Sequence, residues 1–166
     1  MRARHAAPAL LAGLALTASA VAAPARPGAA KITAAGVDGV KVGASYTSLR
    51  LAHKIAKATR GCELAGPNAR SARLLAPLKG SVDLTLTRPR KVDTITVTGG
   101  ARAKGVGVGS TLAAVKAAFP HAKVRHTLGI TVVRVPKADG GRFEFSLGAA
   151  GNKVEAIGIP HLAFCE

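Results

Sequence analysis

Apolar and polar residues alternate with a period of two in several short stretches of the chain. The segments "VDLTL" from Val82 and "RFEFSL" from Arg142 carry apolar side chains at every second position. This period predicts β-strands with one buried and one polar face. The run "ITVVRVP", which ends at Pro136, predicts a further strand, and "ADGG" predicts a turn from it into "RFEFSL". Because "LTRPRK" and "LGAAGNK" are short connections, we expect the strands that they join to be antiparallel neighbours.

Two other stretches show the 3.6-residue spacing of amphipathic helices. The hydroxyl of Ser45 or Thr47 can cap the first helix, and that of Ser110 or Thr111 the second, by accepting a bond from a free backbone N–H group. In the second helix only Lys116 interrupts a run of apolar residues, so we expect this helix to be the more buried of the two. We expect the first helix to lie on a sheet with a basic ridge outward. Its apolar arc comprises Leu49, Leu51, Ala52, Ile55, Ala56 and Ala58, and its basic side comprises Arg50, His53, Lys54 and Lys57.

The chain contains two related segments. "GVKVGASYTSLR" from Gly39 matches "GVGVGSTLAAVK" from Gly105 at an offset of 66 residues. Downstream, "VDLTL" matches "FEFSL" at an offset of 61, and "KVDTITV" matches "KVEAIGI" at an offset of 62. The change in offset indicates that the first segment carries about five extra residues, which we place near "GPNARSA".

These patterns predict an α+β fold. We expect two tandem repeats, each a helix plus antiparallel strands, that form one body with the helices packed on a sheet. We therefore divide the chain into a signal peptide over 1–23, a flexible leader over 24–30, a first repeat over 31–103 and a second repeat over 104–166.

The N-terminus has the pattern of a secretory signal peptide. Arg2, Arg4 and His5 precede a short apolar run that ends in small residues, with cleavage expected after Ala20 or Ala23. A permanent membrane anchor is the weaker alternative, because the run is short for a bilayer span. We expect a secreted or cell-envelope-associated protein with no transmembrane segment after signal cleavage.

The composition is strongly basic, with 24 Lys and Arg against 8 Asp and Glu and a net charge of +16. Such a charge favours polyanionic neighbours such as wall polymers or anionic lipid headgroups, although it can also serve only to keep a protein soluble. We expect no sequence-specific nucleic-acid binding, because there is no DNA-reading motif and few aromatic residues for base stacking. The possible basic patch comprises Arg50, Lys54, Lys57, Arg70, Arg73, Arg88, Arg90 and Lys91.

Cys62 and Cys165 are the two cysteines of the chain. In an exported protein two cysteines usually pair, so we predict one disulfide bond between them. Entropy models assign a closed loop of about 100 residues a stabilisation of up to roughly 4–5 kcal/mol. The bond would fasten the C-terminal tail onto the first repeat.

The glycine-rich stretch from Gly105 raises the possibility of a phosphate loop. Its spacing is G-x-G-x-G, which differs from the G-x-G-x-x-G of dinucleotide sites and from the G-x-x-x-x-G-K-[ST] of P-loops. The first repeat also places Lys41 where the second has Gly107. We therefore interpret both stretches as a strand, a tight turn and a helix start, and anion binding at the helix N-terminus as the weaker alternative.

No constellation of catalytic residues or metal ligands stands out. In the repeat alignment Asp83 matches Glu144 and Asp93 matches Glu155, so we expect these acids to pair with cross-strand Lys or Arg. A catalytic acid pair would more naturally break the repeat symmetry. The histidines beyond the signal peptide lack metal-site spacing, and no G-x-S-x-G elbow is present. We predict no catalytic residue, no metal and no cofactor, with surface positions for His53, His121, His126 and His161.

The "GVxVG" corners that open a helix, together with closing strands of the type "KVxxIxI", resemble a known repeat. They are similar to the repeat of secreted actinobacterial proteins related to beta-lactamase inhibitory protein, and to the helix-on-sheet fold of the outer-membrane assembly lipoprotein BamE. The resemblance covers roughly residues 31–166 and implies helices on an antiparallel sheet and a non-catalytic binding role. The inhibitor uses an aromatic-rich surface, whereas the aromatic residues of this chain are Tyr46, Phe119, Phe143, Phe145 and Phe164.

The sequence therefore predicts a secreted, non-catalytic binding protein for a protein or an anionic envelope component. Two alternatives remain open. An inhibitor of a secreted enzyme would be favoured by a sheet face with exposed Tyr46 or Phe side chains. A small secreted hydrolase, for which Ser110, Thr111 and the histidines are the candidate residues, would be favoured by a pocket that holds a histidine with Ser or Asp in bonding geometry.

Overall fold

The computed structural model describes residues 28–127, 129–136, 140–148 and 152–163. The predicted signal peptide lies outside these ranges, and the last residue of the predicted leader, Ala30, already begins the first strand. In chain order the strands are β1 (Ala30–Thr33), β2 (Gly36–Val37), β3 (Val40–Lys41), β4 (Thr59–Arg60), β5 (Arg70–Arg73), β6 (Lys79–Leu84), β7 (Val92–Gly99), β8 (Ala101–Ala103), β9 (Val106–Gly107), β10 (Lys123–Thr127), β11 (Ile130–Pro136), β12 (Arg142–Leu147) and β13 (Val154–Ile159). The helices are α1 (Tyr46–Leu51) and α2 (Leu112–Ala118), with a 3-10 turn at Glu63–Ala65.

The smaller sheet has five strands in the order β3-β2-β1-β8-β9. Two tight hairpins, β2–β3 and β8–β9, flank β1, which pairs antiparallel with β2 and parallel with β8. Both hairpin turns have two left-handed central residues, Asp38 and Gly39 in one and Lys104 and Gly105 in the other. This is the geometry that two-residue hairpins prefer, and it explains the glycine at the second turn position.

The larger sheet has eight strands in the order β10-β11-β12-β13-β7-β6-β5-β4, and all of its pairings are antiparallel. Strands β4–β7 come from the first half of the chain and β10–β13 from the second. They meet at the centre, where Ile95 of β7 opposes Ile159 of β13. Each half therefore repeats the same strand order outward from the centre. The predicted strands in "ITVVRVP" and "RFEFSL" are confirmed, as are the antiparallel neighbours β6–β7 and β12–β13. The strand predicted in "VDLTL" is confirmed only as far as Leu84, because Leu86 lies beyond β6 and is exposed.

The predicted α+β class, with helices packed on a sheet, is wrong. The described chain is mostly β-structure, and its two α-helices are only six and seven residues long. The first helix stops at Leu51, which is exposed, and the left-handed His53 follows it. Ile55 and Ala56, predicted to be helical, instead lie alongside the end of β5, where Ile55 bridges to Leu74. Strand pairing here overrides a helical pattern of apolar residues.

The second helix is not the buried one that its composition predicted. Within α2 only Val115 is buried, and most of its alanines face solvent. Apolar side chains of both sheets instead form one continuous core. Its aromatic part lies in the second half, where the rings of Phe119, Phe143 and Phe145 lie 5.4–5.8 Å apart between centroids. The smaller sheet thus covers the core in the place predicted for helices.

Candidate cavity at the end of the first half

A cavity of about 420 Å³ lies where two segments fold against strands β6 and β7. One segment is the connection between β4 and β5, and the other is the chain that follows β13. Polar side chains that line the cavity include Asp83, Asp93, Thr94 and His161. Its volume is within the range of about 300–1,000 Å³ that is usual for small-molecule sites.

A β-bulge brings the two carboxylates to the same cavity. Asp83 of β6 opposes Thr94 of β7, and the next pair is Leu84 with Val92, so Asp93 is an extra residue on β7. Such a bulge changes the direction of the side chain that it carries. The carboxylate of Asp83 is half-buried and that of Asp93 is exposed, and both line the cavity.

The cavity groups interact electrostatically. Burial raises the pKa of the Asp83 carboxyl above its ordinary value, the negative charge of Asp93 raises it further, and His161 acts in the opposite direction. In the part of the chain that the structure describes, no Lys or Arg lies within ion-pair distance of Asp83 or Asp93.

The segment after β13 is held against the polar face of the sheet. Leu162 is buried, and its backbone N–H donates to Glu144 Oε2 at 3.2 Å. Gly158 permits this approach, because a Cβ there would collide with the backbone of His161. His161 Nε2 lies 3.4 Å from the hydroxyl of Thr94, which is itself buried. Thr94 thus fixes the histidine at the cavity wall.

The opposite wall consists of residues that only the first half possesses. Arg60 opposes Arg70 across β4 and β5, and nine residues connect them. In the second half the equivalent connection joins His126 to Thr131 and has four residues. The predicted five-residue difference is therefore confirmed, between Arg60 and Arg70. The longer connection supplies Cys62, Ala65 and Ala69 to the cavity.

The predicted equivalence of Asp83 with Glu144 is wrong by two residues. Asp83 opposes Thr94 next to the bulge of the first half, and Ser146 opposes Ala156 next to the same kind of bulge in the second. Ser146 is therefore the counterpart of Asp83, at an offset of 63, while Glu155 remains the counterpart of Asp93. The pair of carboxylates occurs at this position in the first half and not in the second.

The expected cross-strand pairing of acids with basic residues holds for one of these acids. Glu144 opposes Arg134 and accepts a hydrogen bond from its Nε at 2.7 Å. Asp83 has a threonine opposite it instead. Glu144 therefore has a structural ion pair, whereas Asp83 forms none among the described residues.

In both "GVxVG" stretches the backbone N–H of the final glycine is hydrogen-bonded within the protein and is not free for a phosphate. Gly43 donates its N–H to the carbonyl of Val92 at 2.7 Å, and Gly109 donates to that of Val154 at 2.8 Å. The N–H of Gly107 donates to Ser110 Oγ at 3.1 Å. The interpretation of these stretches as strand, turn and helix start is confirmed.

The predicted caps are present, and they use the hydroxyls that a hydrolase would need. Ser45 caps α1, and Thr111 caps α2 by accepting from the N–H of Ala114 at 3.2 Å. Neither Ser110 nor Thr111 contacts a histidine within the described ranges. The nucleophiles named for the hydrolase alternative therefore have a local structural role.

The predicted basic patch separates into two groups. The side chains of the half-buried members each donate a hydrogen bond within the protein, and the side chains of the exposed members donate none among the described residues. The half-buried group is Arg50 (to Ile55 O), Lys54 (to Asp38 Oδ2), Arg70 (to Pro67 O and Ala69 O) and Arg90 (to Thr85 O), at 2.7–2.9 Å. The exposed group is Lys57, Arg73, Arg88 and Lys91.

Arg60 belongs with the exposed group, although the sequence did not single it out. It lies on the outermost strand β4, directly opposite Arg70 of β5. The N–H of Ala56 donates to the carbonyl of Arg73 at 2.8 Å, which places Lys57 near Arg73. We call Lys57, Arg60 and Arg73 the basic edge. Its sequence signal was weak because the three residues are well separated along the chain.

The predicted disulfide has one member at the cavity. Cys62 lies just before the 3-10 turn and lines the cavity, while Cys165 lies outside the described residues. Ala163, two positions before Cys165, lines the same cavity. The pairing with Cys165 remains a prediction.

The remaining histidines are dispersed. His126 Nδ1 lies 3.1 Å from Thr131 Oγ1 on the far edge of the sheet, and His53 and His121 are exposed. Among the described residues, no three His, Cys, Asp or Glu side chains are placed to hold a metal ion.

The described aromatic side chains do not form a surface. Tyr46 is half-buried, and its hydroxyl accepts the N–H of Ala58 at 3.0 Å. Phe119, Phe143 and Phe145 are buried, and Phe164 lies outside the described residues. The exposed aromatic face that would favour an enzyme inhibitor is absent from the described ranges.

No helix in the described part of the chain is long and apolar enough to cross a membrane. Comparison of the chain with protein-family models, with curated proteins and with solved structures finds no match. The resemblance to proteins related to beta-lactamase inhibitory protein and to BamE therefore stays a prediction.

Proposed function

We propose that this chain is a secreted, non-catalytic binding protein that attaches to an anionic component of the cell envelope through the basic edge. The observation that supports this most directly is the position of Lys57, Arg60 and Arg73. They are exposed on or just before β4 and β5, the two strands at this edge of the large sheet, and no carboxylate pairs with them among the described residues.

Neighbouring like charges favour an external counter-charge. Arg60 faces Arg70 across the β4–β5 pair, and like charges directly opposite each other destabilise a strand pair. The guanidinium of Arg70 turns to the carbonyls of Pro67 and Ala69, which leaves Arg60 to solvent. A polymer of phosphates or carboxylates along this edge would relieve the repulsion.

The alternative role of the basic edge is to prevent aggregation, because lysine and arginine on an outer strand discourage pairing with a second sheet. The opposite edge of the large sheet provides the control, since β10 and the nearby α2 expose Lys116, Lys123 and Arg125. If the basic residues only prevent aggregation, the two edges are equivalent. If the basic edge is a binding site, most of the affinity for an anionic surface comes from Lys57, Arg60 and Arg73.

The experiment compares two charge-matched variants on vesicles that contain anionic lipid and on purified wall material. One variant carries Lys57→Gln, Arg60→Gln and Arg73→Gln, and the other carries Lys116→Gln, Lys123→Gln and Arg125→Gln. At about 1 kcal/mol for each basic residue near an anionic surface, the first variant should bind roughly 100-fold more weakly than the wild type at low salt. The second should lose far less, and high salt should release the wild type.

Equal losses in the two variants would show that only net charge matters, and absence of wild-type binding to both materials would reject the proposal. Secretion is tested separately. N-terminal sequencing of the exported protein should give a start at Val21 or Pro24.

The two alternatives have less support. The hydrolase hypothesis has less support because the hydroxyls of Ser110 and Thr111 accept backbone N–H groups, and because His161 of the cavity lies against the hydroxyl of Thr94 and not, among the described residues, against a Ser or Asp side chain. The inhibitor hypothesis lacks the exposed aromatic side chains on which it depends.

A further inference from the structure

We propose that the cavity beside Asp83 and Asp93 binds a small organic cation. Its ammonium or guanidinium group would lie between the two carboxylates, and its apolar body would contact the alanine and leucine side chains of the walls. This inference does not depend on the basic edge or on the proposed envelope partner.

The two carboxylates of the cavity favour a positively charged ligand. Basic residues outnumber acidic ones three to one in this chain, at 24 to 8. Asp38 pairs with Lys54 and Glu144 pairs with Arg134, at 2.9 and 2.7 Å. Asp83 and Asp93, in contrast, lie together with no Lys or Arg within ion-pair distance in the described ranges. A cation from solution would supply the positive charge that no described Lys or Arg supplies to these two carboxylates.

The position of the Arg70 side chain supports the proposal. Arg70 also lines the cavity and is the obvious internal partner for Asp83. Its Nη1 instead donates to the carbonyls of Pro67 and Ala69, at 2.9 and 2.7 Å. Arg70 therefore donates to carbonyls of the longer β4–β5 connection and forms no ion pair with Asp83 or Asp93 in the described ranges.

The shape of the cavity sets the size of the ligand. A volume of about 420 Å³ holds a cationic head and a short hydrocarbon chain. Ala65, Ala69, Leu84 and Ala163 provide apolar contact. The buried hydroxyl of Thr94 is already engaged with His161, so the ionised carboxylates are the main polar contacts open to a ligand.

The pH dependence follows from the groups that face Asp83. These are Asp93 on β7, Arg70 on β5, Cys62 in the β4–β5 connection and His161 in the segment after β13. Burial and Asp93 raise the pKa of Asp83, so a cation that binds the ionised form must lower that pKa. Binding should strengthen as pH rises through the pKa of Asp83.

The test uses n-butylammonium and n-butylguanidinium chloride as probes, with n-butanol as the uncharged control, and follows backbone amide NMR shifts of the whole protein. We expect saturable shifts at Asp83, Asp93, Thr94 and His161 with the two cations. For ligands of five to eight heavy atoms, saturation at roughly millimolar concentration is expected. Butanol should give no saturable shift at these residues.

Two variants and one matched control complete the test. Asp83→Asn and Asp93→Asn should each weaken cation binding by about tenfold or more, and Asp93 is exposed, so its substitution should leave the fold intact. Glu155→Gln, at the counterpart of Asp93 in the second half, should leave the affinity unchanged. Equal losses in all three variants, equal binding of butanol, or saturable binding of Ca²⁺ without binding of the organic cations would overturn the proposal. Variants of the basic edge should bind the probes as the wild type does.

Discussion

The two halves of the large sheet have the same strand order and differ in the side chains beside their bulges. Strands β4–β7 and β10–β13 follow the same order outward from the centre, and each half has a bulge at the same place. Beside that bulge the first half has Asp83 and Asp93, and the second has Ser146 and Glu155. The first half also has the longer connection that builds the cavity wall. The fold is therefore duplicated, whereas the acid pair and the longer connection are features of the first half.

Among equivalent positions of the two halves, the largest difference in the unfolding free energy lost on substitution should be at the centre of the core. Phe145 and Val82 occupy equivalent positions, opposite Ile157 and Ile95, and both are fully buried. Phe145→Ala should cost about 3–5 kcal/mol of unfolding free energy, because it removes a ring from the aromatic cluster. Val82→Ala should cost about 2 kcal/mol. Denaturant unfolding measures both, and an equal or larger loss for Val82→Ala would mean that the core is not centred on the second half.

The next largest effect should come from the predicted disulfide, which only the first half can make with the tail. Cys62→Ser should lower the unfolding free energy by about 2–4 kcal/mol. A reducing agent should destabilise the wild type by a similar amount and leave the variant unaffected. If both thiols of the denatured, unreduced protein react with a maleimide, the bond does not exist.

The smallest effect should be at the acid pair. The pKa of Asp83 is raised in the folded chain, so the folded chain keeps this proton to higher pH than the unfolded chain does. The contribution of Asp83 to stability is therefore most favourable at acid pH and decreases as pH rises through the pKa of the folded state. Asp83→Asn should raise the melting temperature slightly at neutral pH and not at acid pH. Ser146→Asn, the matched change in the second half, should show no such pH dependence, and the same pH dependence in both would contradict the role of burial.

Much of this frame was predictable from local sequence. The alternation of apolar and polar residues identified the strands, and glycine spacing identified the turns. For each helix start the sequence offered two candidate caps, one of which is used: Ser45 for α1 and Thr111 for α2. The inserted residues after Arg60 followed from a change in offset alone. These features depend on residues close together in the chain, which is why sequence patterns record them.

The misassigned features depend on contacts between distant segments. Ile55 has helical spacing, and its position is decided by pairing with Leu74. The alignment of Asp83 with Glu144 failed because a shift of two residues keeps every side chain on the same face of a strand. The β11–β12 connection is two residues longer than its counterpart, and alternation cannot detect this difference. The cavity was not predicted because its walls come from the β4–β5 connection and from the segment at His161.

The register of strands β12 and β13 tests the central claim most directly, since it decides whether Asp83 has an acidic counterpart. Backbone NOE contacts of the protein in solution report that register. We predict contacts between Asp83 and Thr94 and between Ser146 and Ala156, with Glu144 opposite Gly158. Contacts that place Glu144 opposite Ala156 would make Glu144 the counterpart of Asp83, and the acid pair would then be a duplicated feature of the fold.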